Sequence, residues 1–335
     1  MHVLRKPYLL YLGDARLKSD CKTAFGLRDW CPADVLGEWS HADGQVTLGV
    51  PRMPPSAAAA KGAGSIVIGV APTGGQLPEH WLGDLEAALE AGLDVVSGLH
   101  TRLSSFPRLC AAAQRRGVQL IDVRHPVRDF PVASGRKRSG KRVLTVGTDC
   151  ALGKKYTALA LTRALATAGV AATFRATGQT GILIAGSGIA MDALVADFLA
   201  GAAEMLSPDN RPDHWDVIEG QGSLYHPAYA AVTLGLLHGS QPDAIVLCHD
   251  PARTTIEEYP GYPIPPLGVV IDTYLRAGRL TNSAIRCVGM SINSSELSEL
   301  EWQSYRTRLE RELALPVCDP LRGGVAPLAE ALCRL

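Results

Sequence analysis

The sequence predicts an α/β protein built from two parallel-sheet domains, and three observations support this prediction. Short apolar runs alternate with helical segments along the 335 residues, as in strand–helix–strand units. A polar, glycine-bounded segment at 134–142 interrupts this alternation once. The apolar run after it leads into a glycine-rich loop with Gly-Lys and then a helix, the order of a P-loop domain. We therefore expect a Rossmann-like domain over 1–135 and a P-loop NTPase-like domain over 136–335.

In the first domain, the expected elements follow one another in βαβ order. Glycines end both expected helices, because Gly92 and Gly117 stand where the helical pattern stops. The elements are a strand at 65–70, a helix at 78–91, a strand at 94–97, a helix at 109–116 and a strand at 118–123. Units of this kind are typical of a Rossmann-like sheet.

In the second domain, a short strand at 143–146 runs directly into the glycine-rich loop. A helix follows at 156–168, and Gly169 ends it. Further apolar runs predict strands at 171–176, 215–220, 244–248 and 286–291. Polar residues stand at several of these strand ends, which is where parallel sheets build binding sites.

Composition limits the classes of function. The 33 Lys and Arg residues balance 33 Asp and Glu, whereas a nucleic-acid binder usually carries a basic excess. The longest uncharged stretch, 176–191, contains glycines and is shorter than the roughly 20 apolar residues of a membrane span. The eight cysteines are scattered without a C-x-x-C pair, so neither a metal site nor a disulfide framework is predicted. We expect a soluble, cytoplasmic protein with no nucleic-acid or membrane partner.

The glycine-rich loop is the strongest candidate for a binding site. Backbone N–H groups at the start of a helix bind anions, and a lysine adds a full positive charge. Five residues separate Gly147 from Gly153, where the usual spacing is four. The candidate cofactor-binding residues are Gly147, Thr148, Asp149, Cys150, Ala151, Leu152, Gly153, Lys154 and Lys155.

The residue after Lys154 bears on which phosphate-containing ligand binds. P-loop enzymes that use Mg·ATP carry a Ser or Thr there, whose hydroxyl binds the metal. This chain has Lys155, which favours a phosphate-bearing cofactor that is held over ATP that is hydrolysed. ATP with Mg²⁺ stays open, because Thr148 or Asp149 could reach a metal. Cys150 is either a nucleophile that carries an acyl group or a small filler of the loop.

Candidate catalytic residues follow the predicted strand at 215–220. Glu219 stands at its end beside glycines, and His226 comes soon after, so either side chain could act as a general base. The structural alternatives are a capping role for Glu219 and a hydrogen-bonded core position for His226. Cys248, His249 and His226 do not have the spacing of a known zinc ligand set, and no metal is predicted.

Four further residues are candidates for substrate binding. Gln221 and Gln179 follow predicted strands and offer hydrogen-bond donors. Arg175 and Arg253 could each pair with a substrate carboxylate, or form an ordinary salt bridge. The proline-rich stretch at 259–266 predicts a stiff, non-helical loop of the kind used in lids and subunit contacts.

Six motifs resemble those of a P-loop family that was long without a known function and that includes D-glutamate N-acetyltransferases. They are IVIGVAPTGG at 66–75, GLDVVSGLH at 92–100, GTDCALGK at 147–154, ATGQTG at 176–181, EGQGS at 219–223 and GLLHGS at 235–240. The resemblance implies a Rossmann-like domain before a P-loop domain, a homo-oligomer, and acetyl transfer from acetyl-CoA to the amino group of D-glutamate. It implies a phosphate-binding role for residues 147–155, whereas the choice of Glu219 or His226 as base comes from the residues themselves.

Two other functions stay open beside this acyltransferase. The GTD sequence at 147–149 also resembles the loop of dethiobiotin-synthetase-like enzymes, so an ATP-dependent carboxylate-activating ligase is the alternative enzyme. The missing Ser or Thr after Lys154 counts against the ligase. A non-enzymatic, nucleotide-sensing P-loop protein is the third hypothesis, and the polar groups at strand ends count against it.

Overall fold

The computed structural model describes residues 4–70, 72–125 and 129–335, which form two compact units. The first unit comprises residues 1–128 and 178–193, and the second comprises residues 129–177 and 194–335. Ala71, within the predicted motif at 66–75, lies outside the described residues. Each unit contains its own parallel β-sheet, so the predicted α/β class is confirmed.

The first unit is built on a five-stranded sheet. Its strands are β1 (Tyr8–Tyr11), β2 (Val35–Trp39), β3 (Ser65–Ile68), β4 (Asp94–Ser97) and β5 (Leu120–Asp122). The helices between them are α1 (Lys22–Trp30), α2 (Pro55–Ala60), α3 (Leu82–Glu90) and α4 (Pro107–Arg116). The strand order is β2-β1-β3-β4-β5, and every neighbouring pair is parallel. All four residues of β3 are buried, as expected for a parallel sheet covered on both faces.

The rest of the chain supplies eight further strands and seven further helices among the described residues. The strands are β6 (Lys141–Gly147), β7 (Ala172–Arg175), β8 (Trp215–Ile218), β9 (Ala244–His249), β10 (Thr255–Ile256), β11 (Tyr259–Pro263), β12 (Arg286–Ile292) and β13 (Val317–Cys318). The helices are α5 (Lys154–Thr167), α6 (Gln179–Ala185), α7 (Ala196–Leu206), α8 (Ala230–Ser240), α9 (Leu267–Gly278), α10 (Glu299–Leu313) and α11 (Ala326–Cys333).

In the second unit, six strands form a parallel sheet in the order β13-β12-β9-β6-β8-β7, and β10 and β11 form a separate antiparallel hairpin. Strand β6 lies between β8 and β9. Leu144 pairs with Ile218 and Gly147 pairs with Cys248, so the carboxyl ends of these three strands lie along one edge. Parallel sheets build their binding sites at this edge.

Helix α5 is held against the sheet by one apolar face. Ala158, Leu161 and Leu165 follow the i, i+3, i+7 pattern of a buried helix face, and they share one core with Val143 of β6 and Val246 of β9. This packing fixes the axis of α5, and therefore the direction in which its amino end points.

The division of the chain differs from the predicted boundary between residues 135 and 136. The units separate between residues 128 and 129, and residues 178–193 return to the first unit. Within the first unit, the Thr180 hydroxyl lies 2.8 Å from the Thr23 hydroxyl. The chain from residue 129 onward therefore does not form one unit, because residues 178–193 belong to the first unit.

The described residues include no helix that combines the length and the apolarity needed to cross a membrane. The proline-rich stretch at 259–266 is non-helical, but its first five residues pair as β11 instead of forming an irregular loop.

The core position of Leu161 yields a prediction about stability. Changing Leu161→Ala removes a fully buried side chain and leaves a cavity, so we expect the free energy of unfolding to fall by about 2–5 kcal/mol. The control is Leu300→Ala, since Leu300 is 84% exposed and its loss should change stability by at most about 0.5 kcal/mol. Urea unfolding followed by tryptophan fluorescence measures both, and equal effects would contradict the assignment of this core.

Candidate active site

The glycine-rich loop connects β6 to α5 through residues 148–153. Gly153, directly before the helix, has a φ of +99°, a conformation that side chains with a Cβ rarely adopt. A Cβ at Gly147 would lie 3.0 Å from the Lys154 ammonium nitrogen. A Cβ at Gly147 would also lie 2.9 Å from the Asp149 carbonyl oxygen. Gly153 is therefore favoured by its backbone conformation, and Gly147 by the close approach of the loop backbone.

Lys154 is buried at the first position of α5. Its Nζ donates a hydrogen bond to the Asp149 carbonyl oxygen at 2.7 Å. Desolvation by burial lowers the pKa of Lys154, while Cys150, Cys248 and Asp149 oppose this shift. The amino end of a helix has N–H groups without intrahelical partners, so the loop and this ammonium together can bind an anion.

The Asp149 carboxylate organises the loop. It is fully buried, and its Oδ1 accepts the Cys150 N–H at 2.6 Å. Its Oδ2 accepts Arg253 Nη1 at 2.9 Å and the Glu257 N–H at 2.8 Å. Arg253 also donates to the Cys150 carbonyl oxygen at 2.8 Å. The sequence leaves Arg253 open between a substrate carboxylate and a salt bridge, and in this structure its guanidinium forms the salt bridge to Asp149 and thereby positions the loop.

Thr148 joins the loop to the end of β9. Its N–H donates to the Cys248 carbonyl oxygen at 3.1 Å, and its Oγ1 lies 3.0 Å from His249 Nδ1. Burial lowers the pKa of His249 to about 4 from its ordinary value of 6.5. The imidazole is therefore neutral at physiological pH and adds no charge to the site.

Glu219 lies directly after β8 and is buried. Its Oε2 accepts the Thr177 N–H at 2.9 Å, and its carbonyl oxygen accepts the Thr177 hydroxyl at 2.7 Å. The Gln221 Nε2 donates to the same Thr177 hydroxyl at 3.1 Å. A Cβ at Gly220 would lie 3.2 Å from Lys154 Cδ, so this strand end adjoins the lysine stem. The Glu219 carboxylate and the Gln221 amide thus meet at Thr177, and Gly220 between them adjoins Lys154.

His226 is buried, and its hydrogen bonds define its protonation. Nδ1 accepts the Ala228 N–H at 3.1 Å and the Tyr229 N–H at 3.3 Å. A neutral imidazole that accepts at Nδ1 carries its proton on Nε2. The two backbone bonds therefore occupy the nitrogen that a general base would use, and the structure favours Glu219 over His226 for that role.

His226 also belongs to a cluster with the loop. One imidazole nitrogen, a carboxylate oxygen of Asp149 and Cys150 Sγ lie within 4.8 Å of one another. These are metal-ligand types, but the Arg253 guanidinium bonded to Asp149 would repel a cation. Burial raises the pKa of the Cys150 thiol, which disfavours the thiolate that a metal or an acyl group would require.

Two predicted substrate-binding residues lie elsewhere. The Arg175 guanidinium donates to Asp216 Oδ1 at 2.9 Å, so it is directed back along β8 toward the amino end of that strand. Gln179 belongs to the first unit, where its side chain packs against Gly98. A local pattern cannot reveal either outcome, because the partners Asp216 and Gly98 are distant in sequence.

The structure adds one residue that sequence reasoning missed, Tyr274, and shows where Thr157 lies. The Tyr274 hydroxyl donates to the Gly147 carbonyl oxygen at 2.8 Å and accepts the Leu224 N–H at 3.1 Å, linking the loop to the segment after β8. Burial raises the pKa of Tyr274 to about 12. Thr157 is buried and bonds to the Ser291 hydroxyl at 2.7 Å, so its hydroxyl lies in the core behind the loop. Tyr274 does lie on the buried stripe of α9 with Val270, which is a signal for burial but not for its partner.

Two parallel α/β units, of which the second carries a glycine-rich loop between a central strand and a helix, define a Rossmann-like and P-loop protein. Residues 131–329 match the C-terminal P-loop domain, and residues 36–126 the N-terminal Rossmann-like domain, of DUF1611, each described as a domain of unknown function. The chain belongs to this family.

Solved and curated relatives agree with this membership. The crystal structure of a DUF1611 family protein from Anabaena variabilis ATCC 29413 is similar, with a TM-score of 0.88 and 34% identity over 98% of this chain and 99% of that one. A protein from Tritonibacter scottomollicae is 47% identical and one from Pseudoalteromonas sp. is 45% identical, each over 98% of this chain and 99% of its own length. Both are named D-glutamate N-acetyltransferase, which places this chain among the acyltransferase enzymes.

The buried His249 yields a prediction about pH. Its pKa is about 4 in the folded protein and near 6.5 when unfolded, so the unfolded chain takes up a proton first as the pH falls. We therefore expect the His249 contribution to stability, complete above pH 6.5, to diminish between pH 6.5 and pH 4, by about 2 kcal/mol at pH 5.

Urea unfolding of wild type and His249→Gln at pH 7.5 and pH 5 measures this contribution. The wild type should lose more stability than the variant on acidification, because glutamine does not titrate. Equal losses in the two proteins would show that His249 is not responsible.

Proposed function

We propose that the protein transfers the acetyl group of acetyl-CoA to the amino group of D-glutamate. The main support is the pair of relatives named D-glutamate N-acetyltransferase, since each is aligned over almost the whole length of both chains. The anion-binding loop supports a phosphate-bearing acyl donor, because coenzyme A carries a diphosphate and a 3′-phosphate.

In this proposal the loop binds phosphates of acetyl-CoA. Lys154 supplies the charge, and the amino end of α5 supplies N–H donors. The residues that follow Lys154 bear on ATP binding. Lys155 occupies the position of the usual Ser or Thr, and the first Ser or Thr after it, Thr157, is bonded to Ser291 in the core. A magnesium-dependent reaction would have to recruit its ligands from other residues, so acetyl-CoA fits the loop better than Mg·ATP.

The reaction requires one proton transfer before the acetyl group moves. The substrate ammonium loses a proton to a base, and the amine attacks the thioester carbon to give a tetrahedral intermediate. The carbon–sulfur bond then breaks, the nitrogen loses its second proton as the amide forms, and the coenzyme A thiolate takes up one proton and leaves as a thiol. Backbone N–H groups of the loop are candidate donors to the oxyanion, and Glu219 is the candidate base.

The position of Glu219 sets a condition on this mechanism. The pantetheine arm separates the phosphates of coenzyme A from its thioester, and Glu219 adjoins the stem of Lys154 through Gly220. Glu219 can therefore deprotonate the amine only if the arm folds back over the loop. If the arm extends away from the loop, Glu219 lies near the phosphates of the cofactor and too far from the thioester to act as the base.

The direct test measures free thiol released from acetyl-CoA by the purified protein. We expect release that depends on D-glutamate and exceeds that with L-glutamate or with no amino acid. Addition of Mg·ATP should not increase the rate. Absence of release, with ADP formed when carboxylates and Mg·ATP are supplied, would instead support the carboxylate-activating ligase.

A substitution of Lys154 tests the role of the loop. Lys154→Met keeps the length of the stem but removes the charge, so we expect the affinity for desulfo-CoA to fall by at least about 10-fold. Calorimetric titration with this unreactive analogue separates binding from turnover. Lys61→Met, at an exposed position of the first unit, is the matched control and should bind normally. Equal affinities of Lys154→Met and wild type would exclude the loop as the phosphate site.

A substitution of Glu219 tests the base. Glu219→Gln retains the acceptor for the Thr177 N–H but cannot take a proton, so kcat should fall by roughly 100-fold or more while desulfo-CoA binding is unchanged. Glu312→Gln, on the exposed side of α10, is the control. A loss of desulfo-CoA affinity with kcat preserved would assign Glu219 to the phosphate end and leave the base unassigned.

A further inference from the structure

We propose that a row of four aromatic side chains beside the loop stacks the adenine ring of the bound nucleotide. The row consists of Tyr229, His226, Tyr259 and Tyr262, and we call it the aromatic row. The proposal rests on the proposed function in one respect: it takes the nucleotide to be coenzyme A, whose phosphates the loop would bind.

The geometry of the aromatic row is continuous. The ring centres of His226 and Tyr229 are 4.5 Å apart, and those of His226 and Tyr259 are 5.2 Å apart. Tyr262 extends the row, with its ring centre 6.1 Å from that of Tyr259. These separations are those of interacting aromatic pairs.

The aromatic row is buried at His226, which lies within the row, and exposed at both of its ends. His226 is buried, and its imidazole lies within 4.8 Å of Asp149 and Cys150 in the loop. Tyr229 and Tyr262 are 56% and 51% exposed, so large parts of both rings face solvent. An exposed aromatic ring that is connected to an anion site offers a stacking surface for a base whose phosphate occupies that site.

The aromatic row is held in place by backbone hydrogen bonds, one of which also binds the Asp149 carboxylate of the loop. The Ala228 and Tyr229 N–H groups fix the His226 ring, and the Glu257 N–H ties the β10–β11 hairpin to Asp149. Tyr259 and Tyr262 lie on β11 of that hairpin. A base that stacks here therefore meets rings that are already ordered, which lowers the entropic cost of binding.

The chemistry of the ligand follows from distances within the nucleotide. One ribose separates adenine from the 5′-diphosphate, whereas the pantetheine arm separates the diphosphate from the thioester. A surface directly beside the phosphate loop therefore suits the nucleotide end of coenzyme A. The same surface would suit adenine in ATP, so the two nucleotides must be distinguished by experiment.

The experiment compares Tyr229→Ala and Tyr262→Ala with the conservative variants Tyr229→Phe and Tyr262→Phe. Because stacking of a base on an aromatic ring increases binding affinity, we expect the alanine variants to bind 3′,5′-ADP and desulfo-CoA about 5- to 100-fold more weakly. Calorimetric titration measures both affinities. The phenylalanine variants should bind as wild type does, because the ring is retained. Val269→Ala removes another exposed apolar side chain of the second unit and is the control for surface effects.

A second readout uses the acyl donor. The alanine variants should have a raised KM for acetyl-CoA and an unchanged KM for acetyl-pantetheine, which lacks the nucleotide. Equal changes with both donors, or no change in nucleotide affinity, would overturn the proposal. Thermal unfolding of each variant shows whether it is folded.

If acetyl-CoA is not the acyl donor, the binding measurements give a different pattern from the one expected if the aromatic row does not bind adenine. Binding of ATP but not of desulfo-CoA, weakened by the same alanine variants, would support the adenine surface while overturning acetyl-CoA as the donor. Binding of neither nucleotide to the wild-type protein would overturn the aromatic row as an adenine site.

Discussion

The ion pair between Asp149 and Arg253 is the interaction on which the site depends. A carboxylate that is fully removed from water is costly unless it is paired and hydrogen-bonded. Asp149 meets this requirement with one guanidinium and two backbone N–H groups, which come from the loop and from the segment 253–257. The shape of the loop, the attachment of the hairpin and the position of Tyr259 are thus consequences of one buried charge.

This pairing also decides the charge that the loop presents. Because Arg253 neutralises Asp149, the ammonium of Lys154 has no carboxylate partner in the loop and donates to a backbone carbonyl oxygen. His249 is neutral, and Arg175 is paired with Asp216 outside the loop. The positive charge of Lys154 and the amino end of α5 therefore remain for an incoming anion, and binding one would restore the lysine pKa that desolvation lowers.

The sequence predicts the strands of the sheet better than it predicts the hydrogen-bond and ion-pair partners of the residues in the candidate site. Strand β4 has the predicted bounds, and β6 exceeds the predicted strand by two residues at its start and one at its end, because apolar runs are local signals. The end of β8, which Glu219 follows, lies beside the loop strand β6, because parallel strands place their carboxyl ends at one edge. The role of Arg253 depends on a carboxylate 104 residues away, and that of Tyr274 on a carbonyl 127 residues away. No local pattern records such contacts, and the return of residues 178–193 to the first unit is hidden for the same reason.

If acetyl-CoA is the acyl donor, as we propose, its length limits where the acetyl transfer can take place. If its phosphates occupy the loop and its pantetheine arm is extended, the thioester would lie at a distance from β6. Polar groups continue along the carboxyl edge of the sheet: Asn293 after β12 donates to Asp250 at 3.0 Å, and Ser294 donates to Asp319 after β13. Adjacent strands are about 4.8 Å apart, so β13, three strands from β6, is roughly 14 Å from the loop strand. In the proposed reaction, a folded arm would place the thioester beside Glu219, and an extended arm would place it farther along the sheet edge. The conformation of the bound cofactor would then determine which groups of the second unit can act as the base.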